Sequence, residues 1–188
     1  TISEMGVDYV IIDTEHTARN GGELADFLQL LGALGVLSIV RIPIADAHYV
    51  TMAMDAGAQG VLAPYCETVR QVKDVVGGAK WLPLKGKALE RVLDFREFPS
   101  DETRIYLEKR NRNSIVLIGI ESVAAVENLE NILAVPGIDG IFVGPNDMSI
   151  TMGIPNQYDH PDYEAMLRYI IGACEGHGVP VLIHHQNI

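Results

Sequence analysis

Two carboxylates, Glu121 and Asp147, stand where apolar runs of the chain end: Ile115 to Glu121 reads IVLIGIE and Gly140 to Asp147 reads GIFVGPND. Apolar runs of this length, bounded by Gly and Pro, read as strands buried on both faces, as in parallel sheets. A carboxylate leaving such a strand needs a partner, because an unpaired buried charge costs on the order of several kcal/mol. A divalent cation held between the two meets that need; pairing of each with an Arg, a Lys or a helix N-terminus is the alternative. Asp13-Thr14-Glu15-His16 directly follows an earlier strand-like run. His16 is the candidate acid/base there, since imidazole titrates nearest neutral pH, and a structural histidine is the other reading. Arg41 ends the next run and suits either an anionic substrate oxygen or a salt bridge to Asp13 or Glu15. Asp55 precedes the run after that and is read as facing the same cavity. Gly144-Pro145-Asn146-Asp147 forms a turn whose amides suit a carboxylate beside the metal. His184 and His185 finish the last run, where alternation sends one inward. His48, His160 and His177 show no evident role.

These residues need elements to position them. Strand-like runs fall at Tyr9 to Asp13, Ser38 to Arg41, Gly60 to Ala63, Ile115 to Ile120, Gly140 to Val143 and Pro180 to Ile183. Between them, apolar residues at three- and four-residue spacing predict helices near Glu23 to Leu34, Ala47 to Ala56, Thr68 to Val76, Ser122 to Leu133 and Tyr163 to Glu175. Such alternation calls for a parallel sheet with right-handed crossovers, either doubly wound or a (β/α)8 TIM barrel. The polar residues come from the carboxyl ends of four different runs, where barrel enzymes assemble their sites, and this favours the barrel over an open sheet with one switch point.

A complete barrel of this kind has about 250 residues and eight strands. The chain has 188 residues, so the expectation is one incomplete TIM-barrel domain over 1–188 that lacks its first and last strands. Residues 80–113 are read as an irregular excursion over the rim, with an extra helix capped by Ser100. The opening TISEMG reads as the last turn of a helix closed by Gly6, with sequence lost upstream.

Composition excludes several classes. With 48% apolar and 21% charged residues the chain can bury a sizeable core, and it has no long uninterrupted apolar span, so no membrane partner is expected. A net charge of −11 without a Lys/Arg cluster argues against nucleic acid. Cys66 and Cys174 lack CxxC or framework spacing, which fits a reducing cytoplasm. GGAKWLPLKGK is misspaced for a phosphate loop, and GxGxxG, GxSxG and HExxH are absent. No Lys ends a strand-like run, which argues for metal over imine chemistry.

Five strand-end motifs now stand in order: DTEH at 13–16, VRIP at 40–43, MDAG at 54–57, IES at 120–122 and FVGPNDMS at 142–149. Together they resemble the HpcH/HpaI family of class II, metal-dependent pyruvate aldolases. That resemblance implies a phosphoenolpyruvate/pyruvate-type barrel and a homo-oligomer, typically a hexamer built as a trimer of dimers with an exchanged terminal helix. It implies Glu121 and Asp147 as ligands of Mg2+, Mn2+ or Co2+, His16 as general base with Asp55 holding its ring, and Arg41 against the enolate oxygen. Gly144, Pro145, Asn146 and Asp147 would hold the pyruvate carboxylate, while Asp13 and Glu15 shape the pocket. The activity implied is reversible cleavage of a 4-hydroxy-2-oxo acid to pyruvate and an aldehyde. Alternatives are a citrate-lyase-like or malyl-CoA-lyase-like enzyme acting on a thioester, with Lys85, Lys87 and Arg91 as a thin basic groove, and a non-catalytic barrel paralogue. The chain departs from the family pattern at Gly119, where Gln is common, at Pro83-Leu84-Lys85-Gly86-Lys87, and at His184 and His185.

Overall fold

The computed structural model describes residues 6–17 and 20–183. Six strands form one sheet in chain order, each parallel to the next: β1 (Tyr9–Asp13), β2 (Leu37–Arg41), β3 (Gly60–Ala63), β4 (Ile115–Ile120), β5 (Gly140–Val143) and β6 (Val181–Ile183). Nine helices are present among the described residues: α1 (Gly21–Ala33), α2 (Ala47–Asp55), α3 (Val69–Lys80), α4 (Gly86–Phe95), α5 (Asp101–Asn111), α6 (Val123–Glu127), α7 (Leu129–Leu133), α8 (Pro145–Thr151) and α9 (Pro161–His177).

The expected (β/α)8 barrel is corrected by this topology. A barrel closes only when its first and last strands find partners. Here β1 pairs with β2 alone and β6 with β5 alone among the described residues, so the sheet is a six-stranded half-barrel with two edges. His184 and His185, and residues 1–5 of the proposed opening helix turn, lie outside the described residues; Gly6 has the positive φ of 66° that a helix-closing glycine adopts.

Each strand has two dissimilar faces because side chains alternate along it. On the outer face Val40, Val61, Val116, Ile118, Ile141 and Val143 pack under the helices with Leu28, Val50, Val75, Leu129 and Ile170 in the main core. Burying each such side chain contributes about 1.5–3 kcal/mol relative to exposure. The inner face carries a smaller cluster, Ile39, Leu62 and Leu117 with Leu37, Ile115, Phe142 and Leu182. The same parity brings Asp13, Arg41 and Gly119 to that inner face, and Asp13 is the register partner of Arg41.

Local chemistry sets the element boundaries. Asn20 and Thr68 build capping boxes with Glu23 and Gln71, and Ser100 caps α5 through the Thr103 amide. The single helix expected over Ser122 to Leu133 is two, because Asn128 leaves helical geometry (φ −103°, ψ 8°) while its side chain donates to the Glu67 carbonyl at 3.0 Å. The segment 80–113 holds two helices, α4 and α5, rather than one. They enclose Trp81, Val92 and Leu107 and deliver the chain to the amino-terminal end of β4.

Candidate metal and active site

β1 and β2 end side by side, and their last residues form an ion pair. Arg41 donates from Nε to Asp13 Oδ1 at 3.1 Å, and from its second nitrogen to Asp13 Oδ2. Asp13 Oδ1 also accepts the backbone N–H groups of Glu15 at 2.9 Å and His16 at 3.1 Å, which folds the DTEH turn back over the strand end. Burial alone would raise the Asp13 pKa, but Arg41 and these two amides outweigh it and hold the carboxyl below its usual range. Glu15 Oε2 lies 3.4 Å from Arg41 Nε and 3.6 Å from His16 Nε2, yet it accepts no hydrogen bond although it is buried. Desolvation therefore pushes Glu15 up; Arg41 and His16 oppose this, while Asp13 and Asp147 add to it. The His16 ring is open to solvent, with 65% of its side chain exposed.

Glu121 follows β4 and is the most buried acid of the group, at 3% exposure. Its Oε1 has no hydrogen-bond partner. Desolvation, then the charges of Glu15 and Asp147, push its carboxyl up to about 7, against the pull of Arg41 and the Tyr65 backbone amide. Two glycines make room for it. A Cβ at Gly119 would sit 2.5 Å from Glu121 Oε1, and one at Gly144 would sit 2.8 Å from the carboxylate carbon. At Gly119, where the chain departs from the family pattern, the Glu121 carboxylate occupies the space a Cβ would need.

Asp147 lies in the first turn of α8, a helix that sequence reading takes for a turn. Gly144 is its N-cap and Pro145 its first residue, so Pro145 offers no N–H and the amides free by position are those of Asn146 and Asp147. Asp13, Glu15, Arg41, Glu121 and Asp147 are electrostatically coupled in one cluster at the carboxyl end of the sheet. Asp55 is not brought to it. It is the exposed last residue of α2, which leads into the amino end of β3, so it stands at the opposite end of the sheet from His16.

A metal fits this cluster in a particular way. Among the described residues no three His, Cys, Asp or Glu side chains are arranged to hold a cation alone. Two carboxylates with an orphaned buried oxygen, in a glycine cradle, suit a hard cation that keeps positions for water and substrate oxygens. Of the basic groove considered for a thioester, Arg91 is committed to Glu97, with Nε 3.0 Å from Oε2. Sequence reading missed Tyr65, whose amide faces Glu121; its signal is a backbone φ of 51°, which residue type does not reveal. No helix among the described residues is long and apolar enough to cross a membrane.

The family model HpcH/HpaI aldolase/citrate lyase matches residues 1–187. A hydroxypyruvate/pyruvate aldolase of Deinococcus radiodurans is 34% identical over 182 residues, covering 93% of this chain and 64% of that protein. A 2-dehydro-3,6-dideoxy-6-sulfogluconate aldolase of Pseudomonas putida is 31% identical over 176 residues, 94% of this chain and 68% of that one. The crystal structure of an HpcH/HpaI aldolase from Desulfitobacterium hafniense superposes with a TM-score of 0.80 at 32% identity, over 97% of this chain and 70% of its own. The chain thus spans about two thirds of the length of these relatives.

Proposed function

The chain belongs to the HpcH/HpaI aldolase/citrate lyase family, and on that premise we propose that it serves as a metal-dependent carbon–carbon lyase cleaving a 4-hydroxy-2-oxo acid to pyruvate and an aldehyde. The observation that carries this reading is the Glu121 carboxylate: buried, with Oε1 unpartnered, among other acids at the strand ends. Aldolase relatives at 31% and 34% identity support the reaction class.

In this proposal Glu121 and Asp147 hold Mg2+, Mn2+ or Co2+. Such a cation, when bound, would supply Lewis-acid polarisation of the 2-oxo acid. The amides of Asn146 and Asp147, beside Gly144 and Pro145, orient the substrate carboxylate. His16, on the solvent side of the DTEH turn, accepts the proton of the 4-hydroxyl. The C3–C4 bond then breaks, the 4-carbon leaves as the aldehyde carbonyl, and the electron pair passes to C3 and the 2-oxo oxygen. Arg41, braced by Asp13 and Glu15, presents positive charge to that oxygen. Protonation at C3 completes pyruvate.

The test is pyruvate release from several 4-hydroxy-2-oxo acids by EDTA-stripped protein resupplied with each metal. Release that requires added metal is the expected result. Thermal stabilisation by metal with no release from any substrate would leave the site and remove the reaction.

A further inference from the structure

β3 leaves the sheet through Pro64-Tyr65-Cys66-Glu67, a loop tied down immediately after Tyr65. The Cys66 amide donates to the Gly119 carbonyl on β4 at 3.0 Å, and the Glu67 amide donates to Gln71 Oε1 at 3.0 Å. The Glu67 carboxylate accepts the Ser122 hydroxyl at 2.5 Å, and its carbonyl accepts the Asn128 side chain. Pro64 and Cys66 are buried. Tyr65 between them is 40% exposed and has φ 51°, a left-handed backbone that bulky residues seldom adopt.

A side chain kept in such a conformation by a rigid surround points to use rather than packing. If the position served only to aim its amide at Glu121, glycine would do so without strain. The ring is therefore what remains to be explained. It stands at the site's end of the sheet: β3 ends at Ala63, two residues before it, and its neighbour Cys66 is bonded to Gly119, two residues before Glu121. A phenol offers an apolar face and one hydroxyl that both donates and accepts.

The geometry points to Tyr65 as a specificity-determining residue of the proposed lyase, its ring walling the mouth of the site and its hydroxyl hydrogen-bonding the aldehyde half of the substrate. This assignment rests on the aldolase reading. It selects 4-hydroxy-2-oxo acids whose aldehyde half carries a hydroxyl over those with a bare alkyl chain.

The experiment compares wild type with Tyr65→Phe and Tyr65→Gly, each loaded with Mn2+. One readout is kcat/KM for a hydroxylated and an alkyl substrate. The other is exchange of pyruvate methyl protons with D2O, which engages the pyruvate half alone. Tyr65→Phe is expected to lower the hydroxylated-to-alkyl ratio about tenfold, the worth of roughly one hydrogen bond, and by more than any fall in exchange. Tyr65→Gly, which keeps the left-handed backbone, is expected to shift the ratio the same way. An unchanged ratio in both variants overturns the assignment, as does a fall in exchange as large as the fall in cleavage. A wild type that exchanges pyruvate protons but cleaves neither substrate contradicts the aldolase reading itself, and with it this one.

Discussion

The two ends of the sheet treat charge in opposite ways. At the amino end Lys80 bonds the Ser114 carbonyl and sits 2.6 Å from Asp139 Oδ2, which also accepts the Val116 amide at 2.7 Å. Cation and anion match there. At the carboxyl end, among the described residues, Asp13, Glu15, Glu121 and Asp147 face one guanidinium, Arg41, and buried oxygens of Glu15 and Glu121 have no hydrogen-bond partner. A fold gains nothing from that surplus of negative charge, and the proposed cation and anionic transition state would account for it. The amino end is built for stability and the carboxyl end is built at its expense.

The contrast can be broken first at the carboxyl end. Asp147→Ala is expected to lower pyruvate release by on the order of 10³-fold or more, since removing one of two ligands removes the Lewis acid with it. The same variant loses metal-dependent thermal stabilisation, as differential scanning fluorimetry with and without Mn2+ will show. An active variant would sink the ligand assignment.

The next effect is on pH dependence. Glu121 rises from 4.5 in the unfolded chain to about 7 in the folded one, so the metal-free folded state holds the extra proton between those values. Its contribution to stability is fully present below about 4.5 and is lost as pH rises through 7. The span is worth roughly 3 kcal/mol, at about 1.4 kcal/mol per pKa unit. Chemical denaturation of metal-free protein at pH 5, 6, 7 and 8 should show that decline, and Glu121→Gln should flatten it. Equal slopes in the two proteins would mean that Glu121 is not strained by its surroundings.

The smallest effect belongs to the amino end. Asp139→Ala leaves Lys80 and the Val116 amide without their shared acceptor and is expected to cost about 1–3 kcal/mol of stability. Its kcat, measured at a temperature where the variant is folded, should match wild type. A kcat loss without a stability loss would blur the distinction between the two ends.

Much of this was legible in the residues. The apolar runs of β4 and β5 announced themselves, and period-two alternation carried Asp13, Arg41 and Glu121 to one rim. The place of Asp55 is not legible in MDAG: the motif sits just before β3, and a helix returning to a sheet ends at the next strand's amino end. The break at Asn128 depends on a carbonyl 61 residues away at Glu67, which local propensity cannot see. α8 was hidden by Gly-Pro-Asn-Asp, residues shared by turns and helix starts. Closure of the barrel is not legible in the sequence, since strand count is local information and closure depends on what pairs with β1 and β6.

The central claim is that the surplus carboxylates exist to hold a cation. The most direct test is an electron paramagnetic resonance titration of EDTA-stripped protein with Mn2+, which follows the signal of the free aquo ion. Wild type is expected to remove one equivalent of that signal per chain, more tightly at pH 8 than at pH 6, and Asp147→Ala and Glu121→Gln are expected not to. Uptake that is equal in all three proteins, or absent in wild type at pH 8, would contradict the claim.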